Sequence, residues 1–323
     1  MRTTIRLMVK SLRFEIFAMG VAVTVLGCVA LYVAWELAQV GIPRECLYSN
    51  GSFPQAGPTV LESTCQAARD QFYELVNVAG QVLAMAVLIP WITGLLIGVP
   101  LIAREVETGT ASLAWTLSRS RWRWYLRRVI PLVAIVGLVL LLPAIATVVM
   151  EGARQPDVDV WASFDDGSLR GPVVLFRGVL AMSVGVLAGA VIGRQLPGVI
   201  VGGLLAIVVM VAVPTGVQAY TTSLAEWRTA DHSTSGDMTL ETGFRDKSSG
   251  ALVDYEAAYS AAPNLPDGAI DDGWVLAHYE QVALVVPGSR YPQVTAIECA
   301  ALGGLAIVAL GLGGVVVSRR RPS

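Results

Sequence analysis

Six stretches of about 20 mostly apolar residues, each long enough to cross roughly 30 Å of hydrocarbon as a helix, punctuate this chain. They cover approximately residues 16–35, 78–103, 129–150, 172–192, 198–217 and 294–317. Pro90 interrupts the second run, which is expected to close near Pro100. The polar stretches between them differ widely in length. Those at 36–77 and 218–293 are long, 151–171 is short, and Arg194-Gln195-Leu196-Pro197 leaves room only for a tight turn. The pattern predicts an all-α membrane protein of six spans.

Composition agrees with that pattern. Only 15% of residues are charged and 54% are hydrophobic, whereas a soluble domain carries about a quarter charged residues. The first apolar run is too long, and lacks the small-residue exit site, to read as a cleaved signal peptide. The basic residues are almost all arginine, with abundant Ala, Val and Gly, which points to a GC-rich bacterial source and an inner membrane.

The net charge of -2 hides a strong asymmetry. One side of the membrane receives Arg2, Arg6, Lys10 and Arg13, the arginines from Arg104 to Arg128, Arg194, and Arg319 to Arg321. The other side receives nearly all the acids. The positive-inside rule therefore places both termini in the cytoplasm and the loops at 36–77, 151–171 and 218–293 outside. Residues 1–14 read as an amphipathic interfacial helix or as a plain positive flank to the first span.

Cys46 and Cys65 fall in the first outer loop. A bridge there would close a ring of about 20 residues, worth roughly 3 kcal/mol, and the alternative is two free thiols. Cys28 and Cys299 read as packing residues inside spans. Gly185, Gly189 and Gly193 recur at four-residue spacing, as do Gly94 with Gly98 and Gly198 with Gly202, marking where helix backbones approach closely.

Catalytic signatures are missing. The chain has no HExxH, GxSxG or Walker A motif, and His232 and His278 lack neighbouring cysteines, so neither catalytic nor metal residues are assigned. Arg177 and Glu298 lie near the outer ends of their spans, where long side chains are expected to reach water. A carrier driven by an ion gradient would be expected to show ionisable groups at the midplane.

The one long inner segment, Gly98 to Arg128, carries the remaining chemistry. It contains Pro100, Arg104, Glu105, Glu107, Gly109 and Thr110 in a P-x-x-x-R-E-x-E-x-G-T pattern, then Ser118-Arg119-Ser120-Arg121-Trp122. This resembles the permease subunits of ABC-2 type exporters, where the second span runs into a cytoplasmic coupling helix. Gly193 to Pro197 and the Pro287-Gly288-Ser289-Arg290-Tyr291 approach to the last span are similar to stretches of related permeases, so the resemblance covers essentially the whole chain. It implies a type V exporter-like fold with an N-terminal interfacial helix and a coupling helix. It also implies a separate ABC ATPase subunit holding ATP and Mg, a second permease subunit, and membrane lipid as partners. No cofactor is expected on this chain, and no nucleic acid.

In that scheme Arg104, Glu105, Glu107, Gly109, Thr110 and Arg119 are the ATPase-coupling residues. Trp115, Trp122, Trp124, Arg127 and Arg128 would anchor the segment at headgroup depth. An ordinary basic loop with an aromatic belt accounts for the Trp/Arg cluster but not for R-E-x-E-x-G-T. Other readings are a sensor or assembly protein whose outer loop binds a ligand, an intramembrane enzyme, and a secondary carrier.

Overall fold

The computed structural model describes residues 13–40, 60–117, 120–156, 158–230, 236–263 and 271–320. Six long helices dominate it: α1 (Arg13–Val40), α2 (Val60–Glu107), α4 (Arg121–Arg154), α5 (Pro172–Ile192), α6 (Gln195–Thr222) and α9 (Tyr291–Arg319). A short helix, α3 (Thr110–Leu117), lies between α2 and α4 in sequence. All six long helices are long and apolar enough to cross a membrane. Helices suit that setting because they satisfy their own backbone groups where no water is available. Large apolar side chains such as Leu138, Leu204 and Ile307 point outward, more than half exposed. Lipid rather than water is the solvent that makes such a surface favourable.

The chain forms two compact units. The first contains the spans and is built around α5. This helix starts at Pro172, where a missing N–H costs nothing, and ends at Gly193, whose φ of +71° forms a left-handed C-cap. Its contact with α2 is the most extensive between any two elements. Glycine makes that contact possible. A Cβ on Gly185 would come within 3.0 Å of the Leu95 carbonyl oxygen, and one on Gly189 within 2.5 Å of that of Val99. The backbones meet at these points, as small residues allow in membrane helices. Gly193 plays a different part, closing the helix instead of packing within it. α1 packs on α2 and α4 through Leu26, Ala30, Val33 and Leu37.

Three expectations change. First, α2 runs unbroken through Pro90 and Pro100 to Glu107, and its start at Val60 turns the latter part of the 36–77 loop into helix. Each proline removes one backbone donor, and beside Pro90 the Thr93 hydroxyl donates to the Ile89 carbonyl at 2.6 Å. Second, Arg177 and Glu298 do not reach water. Both are 5% exposed, and Arg177 donates to Glu298 at 2.8 Å between α5 and α9. Likewise Glu151 is fully buried at the end of α4, beside Arg154 and the buried Arg170 at 3.4 Å each, while Arg154 also pairs with Asp166. Each charge is buried together with a partner, the condition under which ions are tolerated in low dielectric.

Third, the polar segment at 218–293 is a folded unit with a sheet. Asp157–Asp165 and Thr215–Val294 make up this second unit. Its strands are β1 (Glu226–Thr229), β2 (Met238–Asp246), β3 (Leu252–Val253) and β4 (Tyr279–Val286), antiparallel in the order β1-β4-β2-β3. Two short helices, α7 (Tyr255–Ser260) and α8 (Asp272–His278), begin at Asp254 and Asp271, whose carboxylates accept backbone N–H bonds. A small core gathers the buried Phe244, Ala258 and Val275, with Tyr259, Trp274 and Tyr279 around them. The 157–165 stretch joins it where Phe164 N–H donates to the Gly236 carbonyl and its ring meets Tyr291 edge-on.

Residues 1–12, Arg119 and Cys46 lie outside the described residues, as does the side chain of Cys65. The interfacial helix, that arginine and the disulfide therefore remain expectations.

Candidate functional site

The segment after Pro100 folds as a tight reversal between two spans. The last turn of α2 is closed by Thr108, whose N–H and hydroxyl both donate to the Arg104 carbonyl, at 3.0 and 2.8 Å. Gly109 follows with φ +74°, a conformation costly for any residue with a Cβ. Thr110 then opens α3, its hydroxyl 3.0 Å from that of Thr108 and within 3.3 Å of the Glu105 carbonyl. The T-G-T sequence thus ends one helix, turns the chain and starts the next.

The charged residues before the turn reach three other spans. Glu105 pairs with Arg128 on α4, both about one-fifth exposed. Arg104 lies 3.9 Å from Glu15 on α1. Glu107 accepts the backbone N–H of Gln195 at 3.1 Å. Gln195 is the first residue of α6, so a carboxylate from another helix satisfies an orphan amide at the positive end of its dipole. Three adjacent charges therefore tie one reversal to α1, α4 and α6.

The aromatic residues beyond the turn divide by depth. Trp115 is only 9% exposed and meets Trp124 edge-on at 6.0 Å. Two guanidiniums sit on these rings, Arg121 at 5.1 Å from Trp115 and Arg128 at 4.4 Å from Trp124. Ala111 is buried beside them. Trp122 is more open, at 39%, and stacks on the buried Tyr125. Arg127 is exposed. Of the five residues read as anchors, Trp122 and Arg127 thus face outward, whereas Trp115, Trp124 and Arg128 are built into the packing behind the turn.

Sequence reasoning missed the partners. Glu15 and Gln195 carry no motif, and the headgroup role expected of Arg128 does not include its pairing with Glu105. Arg121, within the S-R-S-R-W stretch, and Arg320, within the closing arginine triplet, take partners that no motif names. Arg121 donates to the carbonyls of Ser318 and Arg320, and Arg320 donates to that of Ala190 at 2.7 Å. These bonds tie neighbouring ends of α4, α5 and α9 together. The available signal was the pairing of charge signs at helix ends, which spacing alone cannot assign.

Among the described residues no cluster of three or more His, Cys, Asp or Glu side chains could hold a metal ion. What the arrangement does present is a charged, braced turn. A search among curated proteins and among solved structures finds no match. Residues 16–218, which take in most of α1 and of α6, everything between them and every part of the braced turn except Glu15, match the family described as ABC-2 membrane transporter related. Members of such families are transmembrane components that generally pair with ATPase subunits and are not themselves catalytic. With six helices long and apolar enough to cross a membrane and the match covering more than half of the sequence, the chain belongs to the ABC-2 membrane transporter related family and is a multi-pass transporter permease.

Proposed function

We propose that this permease is the membrane-spanning subunit of an ATP-driven exporter in a bacterial cytoplasmic membrane, with both termini in the cytoplasm. A separate ATPase chain holds ATP and Mg and docks on residues 104–121. The observation that carries this reading is the braced reversal: a short helix between two spans, linked by Glu105, Arg104 and Glu107 to α4, α1 and α6. A partner that pushes on the turn pushes on all these helices at once. Arg104 is half exposed and lies 3.9 Å from Glu15, so a docking ATPase can reach its side chain.

A second permease completes the substrate pathway, which runs along α2 and α6. The packing of α6 supports this assignment. Only 17% of its most apolar stretch is buried within the chain, against 67% for α5.

The decisive experiment replaces both charges, Arg104→Gln with Glu105→Gln, in the permease co-expressed with its ATPase. The expected result is loss of substrate-stimulated ATP hydrolysis with membrane insertion unchanged. Normal coupling in the double variant would sink the assignment. Transport that continues after ATP depletion while the ion gradient is held would point to a secondary carrier.

A further inference from the structure

Coupling leaves unused an apolar groove between α4 and α9. It encloses about 490 Å³, with Trp122, Tyr125, Val129 and Val133 on one wall and Ile307 and Leu310 on the other. The α4 residues recur every three or four positions and so form one stripe. From Trp122 to Ala134 the stripe extends about 18 Å at the helical rise. One leaflet of a bilayer with ~30 Å of hydrocarbon is about 15 Å deep. The groove therefore begins at one membrane surface and ends near the midplane.

Its lining is hydrocarbon in character. The Tyr125 hydroxyl, the polar group best placed to disturb this, already donates to the Leu310 carbonyl at 2.8 Å. Trp122 closes the surface end by lying over Gly314, where any Cβ would overlap the indole. Arg121 fastens the two helix ends at this mouth through the Ser318 and Arg320 carbonyls.

The rim has the opposite chemistry. Arg123, Arg127 and Arg319 are exposed and form no ion pair among the described residues. Described acids at this end are engaged elsewhere: Glu105 with Arg128, Glu107 with the Gln195 amide, and Glu15 beside Arg104. A one-leaflet apolar slot beneath guanidiniums that no described acid neutralises matches a molecule with a hydrocarbon tail and an anionic head. An apolar helix from a second copy would cover the slot but leave the cations unmet.

We propose that this groove binds an anionic phospholipid of the leaflet that borders the coupling turn. One acyl chain lies between α4 and α9, and the phosphate sits on Arg123 and Arg319. The site rests on the coupling reading only for which leaflet it faces.

The test uses the full-length protein in phosphatidylcholine vesicles, titrated with dibrominated phosphatidylglycerol or dibrominated phosphatidylcholine. Bromine quenches nearby indoles, and subtracting the signal of Trp122→Phe isolates Trp122. Quenching is expected at a several-fold lower mole fraction of the anionic lipid. Arg123→Gln with Arg319→Gln should abolish that preference. So should Gly311→Leu, which fills the slot from a position with nothing within 4 Å of its Cβ while keeping the arginines. Equal quenching by the two lipids in the wild type overturns the proposal. So does a preference that survives both variants, or a Trp122 shielded from both lipids by a second copy. Side-specific labelling of Thr108→Cys reports the leaflet separately, so an error in orientation is distinguishable from an error in the site.

Discussion

Arg177 and Glu298 are 121 positions apart yet meet inside the bundle. Removing one of them strands the other charge in low dielectric. Arg177→Met alone should cost about 3–5 kcal/mol, while Arg177→Met with Glu298→Leu should recover most of it. Thermal unfolding in detergent micelles would check this, and a single variant as stable as the wild type would refute it. Both charges were visible in the sequence, but their burial was not, because a long side chain near a span end can equally reach the interface. In the sheet unit, Asp246 offers a milder test. Hydrogen bonds from the Ser248 hydroxyl, the Ser248 amide and the Ser249 amide hold its carboxyl below the ordinary value of 3.8. A depressed native pKa stabilises the fold above that value and loses its effect as pH falls through the native one. The amides of the turn after β2 should therefore lose protection, relative to their intrinsic exchange rates, as pH falls, and Asp246→Asn should flatten that dependence. Hydrogen exchange across 246–250 measures it.

At the scale of elements, the α2–α5 contact depends on backbone approach. Gly189→Leu places a side chain where the Val99 carbonyl already sits and should cost about 1–3 kcal/mol or more. Gly137→Ala, on α4 with open space around it, should be neutral or mildly stabilising by up to about 1 kcal/mol. Equal melting temperatures for the two variants would count against glycine-mediated packing. The four-residue spacing of Gly185 and Gly189 made a close approach legible in sequence, but not the helix it faces. The six spans were equally legible, since length and hydropathy decide them. The sheet was not, although β2 carries Met238, Leu240, Thr242 and Phe244 at strand spacing and β4 ends in an apolar run. Neither strand buries a face alone, and the long polar surroundings hid a core that gathers Phe244 from β2, Ala258 from α7 and Val275 from α8. In the braced turn, T-G-T and the acids were readable, whereas Glu15 and Gln195 become partners only through tertiary packing.

For the whole molecule, charge asymmetry predicts an orientation that one labelling experiment can read. A cysteine at Ser249 in the β2–β3 turn should react with an impermeant maleimide added to intact cells, and one at Thr108 only after permeabilisation. Reversed labelling would invert the proposed topology and remove the ATPase from the 104–121 turn. The unbroken run of α2 has a mechanical consequence. Its 48 residues make a rod of about 72 Å, more than twice the ~30 Å hydrocarbon thickness. Both prolines fall in the half nearer Glu107, and each omits one rung of the hydrogen-bond ladder. Bending compliance is therefore concentrated there, while the stretch from Val60 to Ile89 stays stiff. Under the proposed coupling, a displacement delivered at Glu107 would be partly absorbed as flexure near Pro100 and Pro90, and the remainder would reach the far end as rigid tilt. The spacing between turn and prolines would set this ratio, making α2 a lever with a built-in spring at its turn-side end.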